Sequence, residues 1–233
     1  MSGLQSVSTS VVLNKGCQNR AKKAGCICSK CFAASLVNQY SSLDRCLQEN
    51  HKILTGSILP ASVLPLIPSR YFRFQAFAEL TNYKEVVNYF NIAKKNPDTL
   101  CALWTKCPGI IAKAISLGYE KPANLQIVLS SPLINKPVKV VKYPFIDKVF
   151  TVYDKEGAKA VNINCGARSC LSCGRCYRDL IAGRKEGRRT RLYIGVLFRL
   201  LSSWSLWSSV DPETRGPLQA QPLKEDPPGI LRP

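Results

Sequence analysis

A chain of 233 residues that is 45% hydrophobic is long enough for one well-buried domain with a small appendage. Its formal charge is +18, from 33 Lys and Arg against 15 Asp and Glu, and it carries eleven cysteines. No apolar run reaches the roughly eighteen residues of a membrane span, so none is expected. The opening MSGLQSVSTSVVLNKG has no basic region leading into an apolar core, so no secretory signal is expected and the expected compartment is the cytoplasm, where thiols stay reduced.

In chain order, LQSVSTSVVL alternates and predicts a short strand. Residues 17–31 predict a polar, basic, cysteine-bearing loop. From Cys31 to about Leu54 the spacing of Phe32, Leu36, Tyr40, Leu43 and Leu47 predicts a helix. Gly56, Pro60, Pro65 and Pro68 mark 55–69 as a connection. Residues 71–76, YFRFQA, predict a strand. Residues 82–95 predict a helix capped by Asn82 or Thr81, with Val86, Val87, Phe90, Ile92 and Ala93 inward. Residues 99–105 predict an apolar strand, and 108–117 a helix opened by Pro108 and stopped at Gly118. Residues 124–130 and 148–153 predict strands, and 159–164, KAVNIN, a further one.

Apolar strands alternating with amphipathic helices predict an α/β fold with a mostly parallel sheet. At one βα unit per roughly 25 residues, five or six units make a partial or irregular (βα) barrel or an open doubly wound sheet. We take the partial barrel, with cysteine-rich loops at both ends. Either way the reactive edge is the C-terminal ends of the strands. That edge would carry Ala78 and Glu79, then Lys106, then Ser130 and Ser131, then Tyr153 and Asp154. The α/β domain is expected over 1–178. Residues 179–233 read as a divergent basic and apolar segment with a Pro-rich disordered tail. Within them, 192–207 has no clear place in the βα pattern; a helix packed on the domain is one reading, a terminus foreign to the fold the other.

The cysteines fall into two groups. Cys165-Gly-Ala-Arg-Ser-Cys170-Leu-Ser-Cys173-Gly-Arg-Cys176 has C-x4-C-x2-C-x2-C spacing, combining spacings of plant-type and bacterial ferredoxin runs. A mononuclear zinc site usually draws its four thiolates from two separated knuckles. Four cysteines within one short loop more easily wrap an iron–sulfur cluster, whose irons each take one thiolate. Gly166 and Gly174 would supply the tight turns. The other group is Cys17, Cys26, Cys28 and Cys31, in which three bound thiolates would leave one iron open for a substrate or cofactor. Lys22, Lys23 and Lys30 would lower thiol pKa values there. Cys46, Cys101 and Cys107 stand alone, with Cys101 read as core.

The only histidine, His51, offers little to Ser-His-Asp chemistry, and no phosphate-binding Gly-rich motif occurs. Glu79 sits at the expected reactive edge, with a helix N-terminal acid as its plainer reading. Arg73 lies inside a strand, where a charge is costly unless paired; pointing into a barrel, it would meet a carboxylate or an anionic ligand. Lys106 could do similar work. Glu79, Arg73 and Lys106 are thus the candidate catalytic residues, and Glu79 and Ser130 the candidate cofactor contacts.

These residues together resemble the phage "gene product 88" domain family. The resemblance rests on Cys28-Ser-Lys-Cys31-Phe-Ala, Arg70-Tyr-Phe-Arg-Phe leading to Glu79, Asn96-Pro-Asp-Thr and Ala102-Leu-Trp-Thr-Lys106. It continues through Lys121-Pro-Ala-Asn-Leu, Ser130-Ser-Pro-Leu-Ile-Asn135, Asp147-Lys-Val-Phe-Thr-Val-Tyr153 and the Cys165–Tyr177 segment, covering about residues 4–178. The layout is similar to that of radical S-adenosylmethionine enzymes, with cysteines first, then a partial βα barrel with an acid after the second strand. It implies that Cys17, Cys28 and Cys31 hold the catalytic cluster, that Glu79 meets the methionine moiety, and that Cys165, Cys170, Cys173 and Cys176 hold an auxiliary cluster. The spacing of the first three cysteines departs from the C-x3-C-x2-C of those enzymes. The sequence thus points to a metal-binding protein of phage or mobile-element type with one or two [4Fe-4S] clusters. The alternative is a zinc-stabilised nucleic-acid-binding protein without catalysis, its basic surface attracting nucleic acid or another anionic ligand.

Overall fold

The computed structural model describes residues 4–139, 142–165 and 169–178, and the backbone of 192–197. In chain order it forms β1 (Gln5–Val7), α1 (Lys15–Ala21), α2 (Phe32–Gln39), α3 (Ser41–Gly56), β2 (Tyr71–Phe74), α4 (Tyr83–Lys95) and β3 (Leu100–Thr105). There follow α5 (Pro108–Ser116), β4 (Leu125–Ser130), β5 (Lys148–Tyr153), the helical turn α6 (Cys170–Cys173) and β6 (Leu192–Leu197).

All strand pairs are parallel, and the strands neighbour one another in chain order from β1 to β6. That order has no reversal, so the sheet is not the doubly wound alternative. Among the described residues β1 and β6 do not pair, so the sheet is open and does not close into a barrel. No described helix is long and apolar enough to cross a membrane.

The alternation of side chains along each strand gives the sheet two different faces. One face presents Phe72, Phe74, Cys101, Leu103, Leu125, Ile127, Leu129 and Val149, and packs on Leu54 of α3, the inner side of α4, and Ile111 and Ala114 of α5. The other presents Tyr71, Ala102 and Trp104, against which Tyr177, Cys170 and Cys176 pack. The same alternation puts Arg73, Gln126 and Lys148 on this second face. Burial of polar groups there requires partners. Lys148, 2% exposed, donates to Gln126 Oε1 and to Arg178 O.

Most elements follow the sequence reading. Asn82 caps α4 by accepting from the Glu85 amide at 3.1 Å. Pro108 opens α5, and Gly118 takes φ +89 just past its end. Several differ. The predicted 31–54 helix is two helices, because Tyr40 between them is extended at φ −124, ψ 94. Residues 159–164 form no strand; Gly157–Ala160 is a 3-10 turn. The 17–31 segment holds α1 and a 3-10 turn at Ile27–Lys30 rather than loop alone. The strand read as 71–76 stops at Phe74, because Gln75 turns to φ +57. Residues 192–197, without a place in the pattern, extend the sheet beside β5. The rest of the expected divergent segment and tail lies outside the described residues.

Candidate metal centres

The chain leaves β1 at the C-terminal edge of the sheet and runs along that edge. Asn14 makes the first attachment. Its Oδ1 caps α1 by accepting from Cys17 N at 2.9 Å, while its Nδ2 donates to Glu79 O at 2.6 Å and Thr81 Oγ1 at 2.9 Å. Arg20, in the last turn of α1, makes the second, donating from Nη1 to Cys107 Sγ at 3.1 Å beyond β3. The third lies beyond β4, where Ile27 N donates to Pro132 O at 2.8 Å and Cys26 bridges Leu133. The N-terminal cysteine segment is thus tied to the ends of β2, β3 and β4 in turn.

Glu79 stands where the sequence reading put it, beyond β2, but it does not face open space. It is 3% exposed. Its Oε1 accepts from Leu80 N at 2.8 Å and Thr105 Oγ1 at 2.5 Å, and its Oε2 accepts from Lys106 N at 2.5 Å. Three donors on one carboxylate satisfy a buried charge and fix the end of β3 to the end of β2. Nor is it an acid in the first turn of α4; that place belongs to Glu85.

Two thiols, Cys17 and Cys107, lie within the field of this carboxylate. Burial pushes Cys17 up to about 12, with Glu79 and the Cys31 and Cys28 thiols adding and Arg20 opposing. Burial likewise pushes Cys28 up to about 11; Lys106 and Arg20 pull it down, and a hydrogen bond with Cys26 pushes it further up. The cations that act on these two thiols are therefore Arg20 and Lys106. The expected Lys22, Lys23 and Lys30 are exposed. Cys17 and Cys31 also pack with Phe77 and Ala78 beyond β2. Cys26 is buried, 4% exposed, and its contact with the group is through Cys28.

Two of Arg20's nitrogens, Nε and Nη2, are buried with no hydrogen-bond partner among the described residues. Orphaned donors beside a thiol match an anionic metal–thiolate group, whose sulfur atoms accept N–H bonds. As the side chains stand, no three His, Cys, Asp or Glu among the described residues are arranged to hold one metal ion. The thiols are disposed around Glu79, Arg20 and Lys106 rather than on a single point.

The C-terminal group sits on the second face of the sheet. Burial pushes Cys176 up to about 12, and the nearby Cys165, Cys170 and Cys173 thiols add to it while Arg73 opposes. Burial also raises Cys165, with Cys170 and Cys173 adding. All four thiols therefore share one neighbourhood. Gly174 makes their turn possible: its φ is +60, and a Cβ there would lie 2.7 Å from Tyr71 Oη. The expected turn at Gly166 lies outside the described residues. Arg178 Nε donates to Tyr71 Oη at 2.8 Å, and the Tyr71 and Tyr177 rings lie 5.1 Å apart.

Arg73 belongs to this second centre, not to the strand ends. Its guanidinium lies 4.4 Å from the centre of the Trp104 ring, within the field of Tyr177, Cys170 and Cys176. Burial lowers its pKa. Ser130 ends β4, buried and paired with Phe150. It is Ser131, next in the chain, whose hydroxyl holds the following turn through Leu133 O and Lys136 O. His51 lies within α3.

Sequence reasoning missed Arg20, Asn14 and Cys107, which act through contacts 65 or more positions apart. It also missed Glu85, fully buried and accepting from Thr9, Gln75 and Tyr89 side chains and from Thr81 N. Asn14 alone left a local signal, an Asn three residues before Cys17 at a helix start. Compared with known proteins, the chain matches no family model, no curated protein and no solved structure.

Proposed function

We propose that the protein is a metal–thiolate protein whose functional centre is an iron–sulfur cluster held by Cys17, Cys28 and Cys31 at the C-terminal edge of the sheet. The observation that carries this reading is the three-point attachment of residues 14–27 along the ends of β2, β3 and β4. It brings Cys17, remote from Glu79 in sequence, into the field of that buried carboxylate. The strand edge is where parallel α/β sheets carry their chemistry. Thiols spread around several charges suit a polynuclear cluster, in which each iron takes one thiolate, better than a single zinc ion.

A reduced cluster would supply one electron to a bound ligand, and S-adenosylmethionine is the ligand that the radical-enzyme layout implies. The chain's own residues prepare the place. Glu79 fixes the backbone of Lys106 and so sets where that side chain meets Cys28. Arg20 offers N–H donors to sulfur. The chain order of the strands, without reversal, is that of an incomplete βα barrel. Cys165, Cys170, Cys173 and Cys176 would hold a second cluster on the sheet face, with Arg73 facing it.

Anaerobic reconstitution with iron and sulfide tests this reading. We expect charge-transfer absorbance and an EPR signal on reduction, and loss of one of two signals in Cys28→Ala. Retention of stoichiometric zinc alone, with salt-dependent binding of DNA or RNA, would replace it by the zinc-stabilised nucleic-acid reading that the +18 charge suggests.

A further inference from the structure

Residues 1–43 contain five Lys and Arg and not one Asp or Glu; the first acid is Asp44. The fold lays the described part of this stretch along the C-terminal edge of the sheet. Lys15 begins α1, Lys22 and Lys23 follow it, and Lys30 ends the 3-10 turn; all four are exposed. Two further lysines come from the strands. Lys106, beyond β3, lies within the field of Cys28. Lys136, exposed, sits in the turn after β4, where Pro132 O accepts from Ile27 N at 2.8 Å and Leu133 bridges Cys26. The neighbouring acids are occupied. Glu79 and Glu85 are buried under their own donors, and Asp44, in the first turn of α3, accepts from Gln48 Nε2 at 2.8 Å. Beyond β5, Asp154 accepts from Asn135 Nδ2 at 2.8 Å and Gly157 N at 2.7 Å, and Glu156 pairs with Lys159 at 2.7 Å. Residues 12–32 thus present only positive charge to solvent.

Exposed aromatic rings accompany these lysines. Phe32, two residues after Lys30, is 44% exposed, and Tyr40, past the end of α2, is 56% exposed. The Phe32 ring lies 6.1 Å from that of Phe77, beyond β2, a packing contact that fixes its position. Cations beside a supported, half-exposed ring match a nucleic-acid strand whose phosphates meet ammonium groups while its bases stack on the ring. A duplex hides its base faces and would use the lysines alone. A lipid surface calls for an apolar helix face, and α1, KGCQNRA, has none.

We propose that residues 12–40, with Lys106 and Lys136, form a docking surface for single-stranded nucleic acid. The lysines take phosphates, and Phe32 and Tyr40 take bases. The surface is independent of which metal the cysteines hold, so its failure leaves the metal–thiolate reading untouched.

The test measures binding of the full chain, before and after anaerobic reconstitution, to labelled oligothymidylate and oligouridylate of roughly 15 nucleotides, by fluorescence anisotropy over a salt series. The triple variant Lys15→Ala, Lys22→Ala, Lys23→Ala is set against Lys52→Ala, Lys94→Ala, Lys113→Ala, which removes equal charge from the exposed sides of α3, α4 and α5. The basic run 184–191 is common to both. We expect the first triple to weaken binding at least about tenfold at about 0.1 M salt and to flatten the logarithmic salt slope by about two, and the second to change neither. Phe32→Ala should weaken binding about tenfold with the salt slope kept, and Phe32→Trp should restore it. A duplex of the same length should bind more weakly and ignore Phe32→Ala. A bromouracil oligonucleotide should photocrosslink within residues 30–40, which reports on the wild type without any substitution. Such binding of either oligonucleotide supports the proposal, and the ratio of the two affinities separates DNA from RNA. Equal losses from the two triples would make the binding a matter of net charge and overturn it. Crosslinks confined to other segments, equal affinity for duplex, or no binding by wild type would overturn it as well. Binding of phosphatidylserine vesicles but of neither oligonucleotide would assign the surface to lipid instead.

Discussion

The two cysteine groups are held by the fold in opposite ways. The C-terminal group is built into the sheet: Cys170 and Cys176 pack with Tyr71, Ala102 and Tyr177, and Gly174 lies against Tyr71. The N-terminal group is laid along the strand ends, attached at a few hydrogen bonds and by the packing of Cys17 and Cys31 on the small Val11, Val37 and Leu47 cluster, and bordered by the exposed Val12, Leu13 and Phe32. A group packed on a sheet face is bound to the stability of the sheet. One at an edge can open without unfolding the sheet, which is where motion and ligand exchange belong.

The largest difference should appear on removing ligands from each group in turn. Cys176→Ala takes a thiol from the sheet face, and we expect it to lower the stability of metal-loaded protein by several kcal/mol, as for loss of a structural metal site. Cys28→Ala should cost markedly less. Urea unfolding with hydrogen exchange checks both, and equal losses would erase the distinction drawn between the groups.

Glu79 joins the strand ends to the N-terminal segment, so Glu79→Gln probes the edge alone. The amide cannot accept at both positions, leaving one of Leu80 N, Thr105 Oγ1 or Lys106 N facing another donor. The expected loss is about 1–3 kcal/mol, with faster exchange of the Lys106 amide by NMR. An unchanged midpoint would mean that the carboxylate does not organise this edge.

On the sheet face, Arg73→Met should remove the contact of the guanidinium with the Trp104 ring, worth up to about 2 kcal/mol when desolvated. Arg73→Lys should recover part of it. Trp fluorescence and thermal melts report the result, and neither should alter the N-terminal EPR signal.

The smallest effect concerns Glu85, whose acceptor network lies beneath the N-terminal edge. Burial raises its pKa from 4.5 to about 7. The folded state therefore holds more protons than the unfolded state between these values. The stability this group contributes is fully present below about pH 4.5 and is lost as pH rises through about 7. Glu85→Gln should flatten that part of the stability–pH curve and cost about 1 kcal/mol at pH 5 through imperfect pairing. An unchanged slope would show that another group titrates there.

Much of the framework was legible because its signals are local. Val86, Val87, Phe90 and Ile92 fall on the buried side of α4 at helical spacing, and β5 spans Lys148–Tyr153 as its apolar pattern predicts. The breaks were less legible. The extended backbone at Tyr40 and the positive φ at Gln75 depend on what surrounds them, since nothing in either residue type demands them. KAVNIN has strand composition but no strand, because β-propensity reflects the packing surface a segment finds.

The sequence by itself determined which residues could ligate metal, the βα alternation and the edge at which chemistry would occur. These follow from side-chain type and from periodicities of a few residues. Only the tertiary structure decided that Arg73 faces the C-terminal cysteines, that Glu79 is buried under three donors and that Arg20 reaches from α1 to the Cys107 sulfur. Those relations are made by contacts between residues far apart in the chain, and spacing along a sequence carries no information about which distant side chains a sheet brings together.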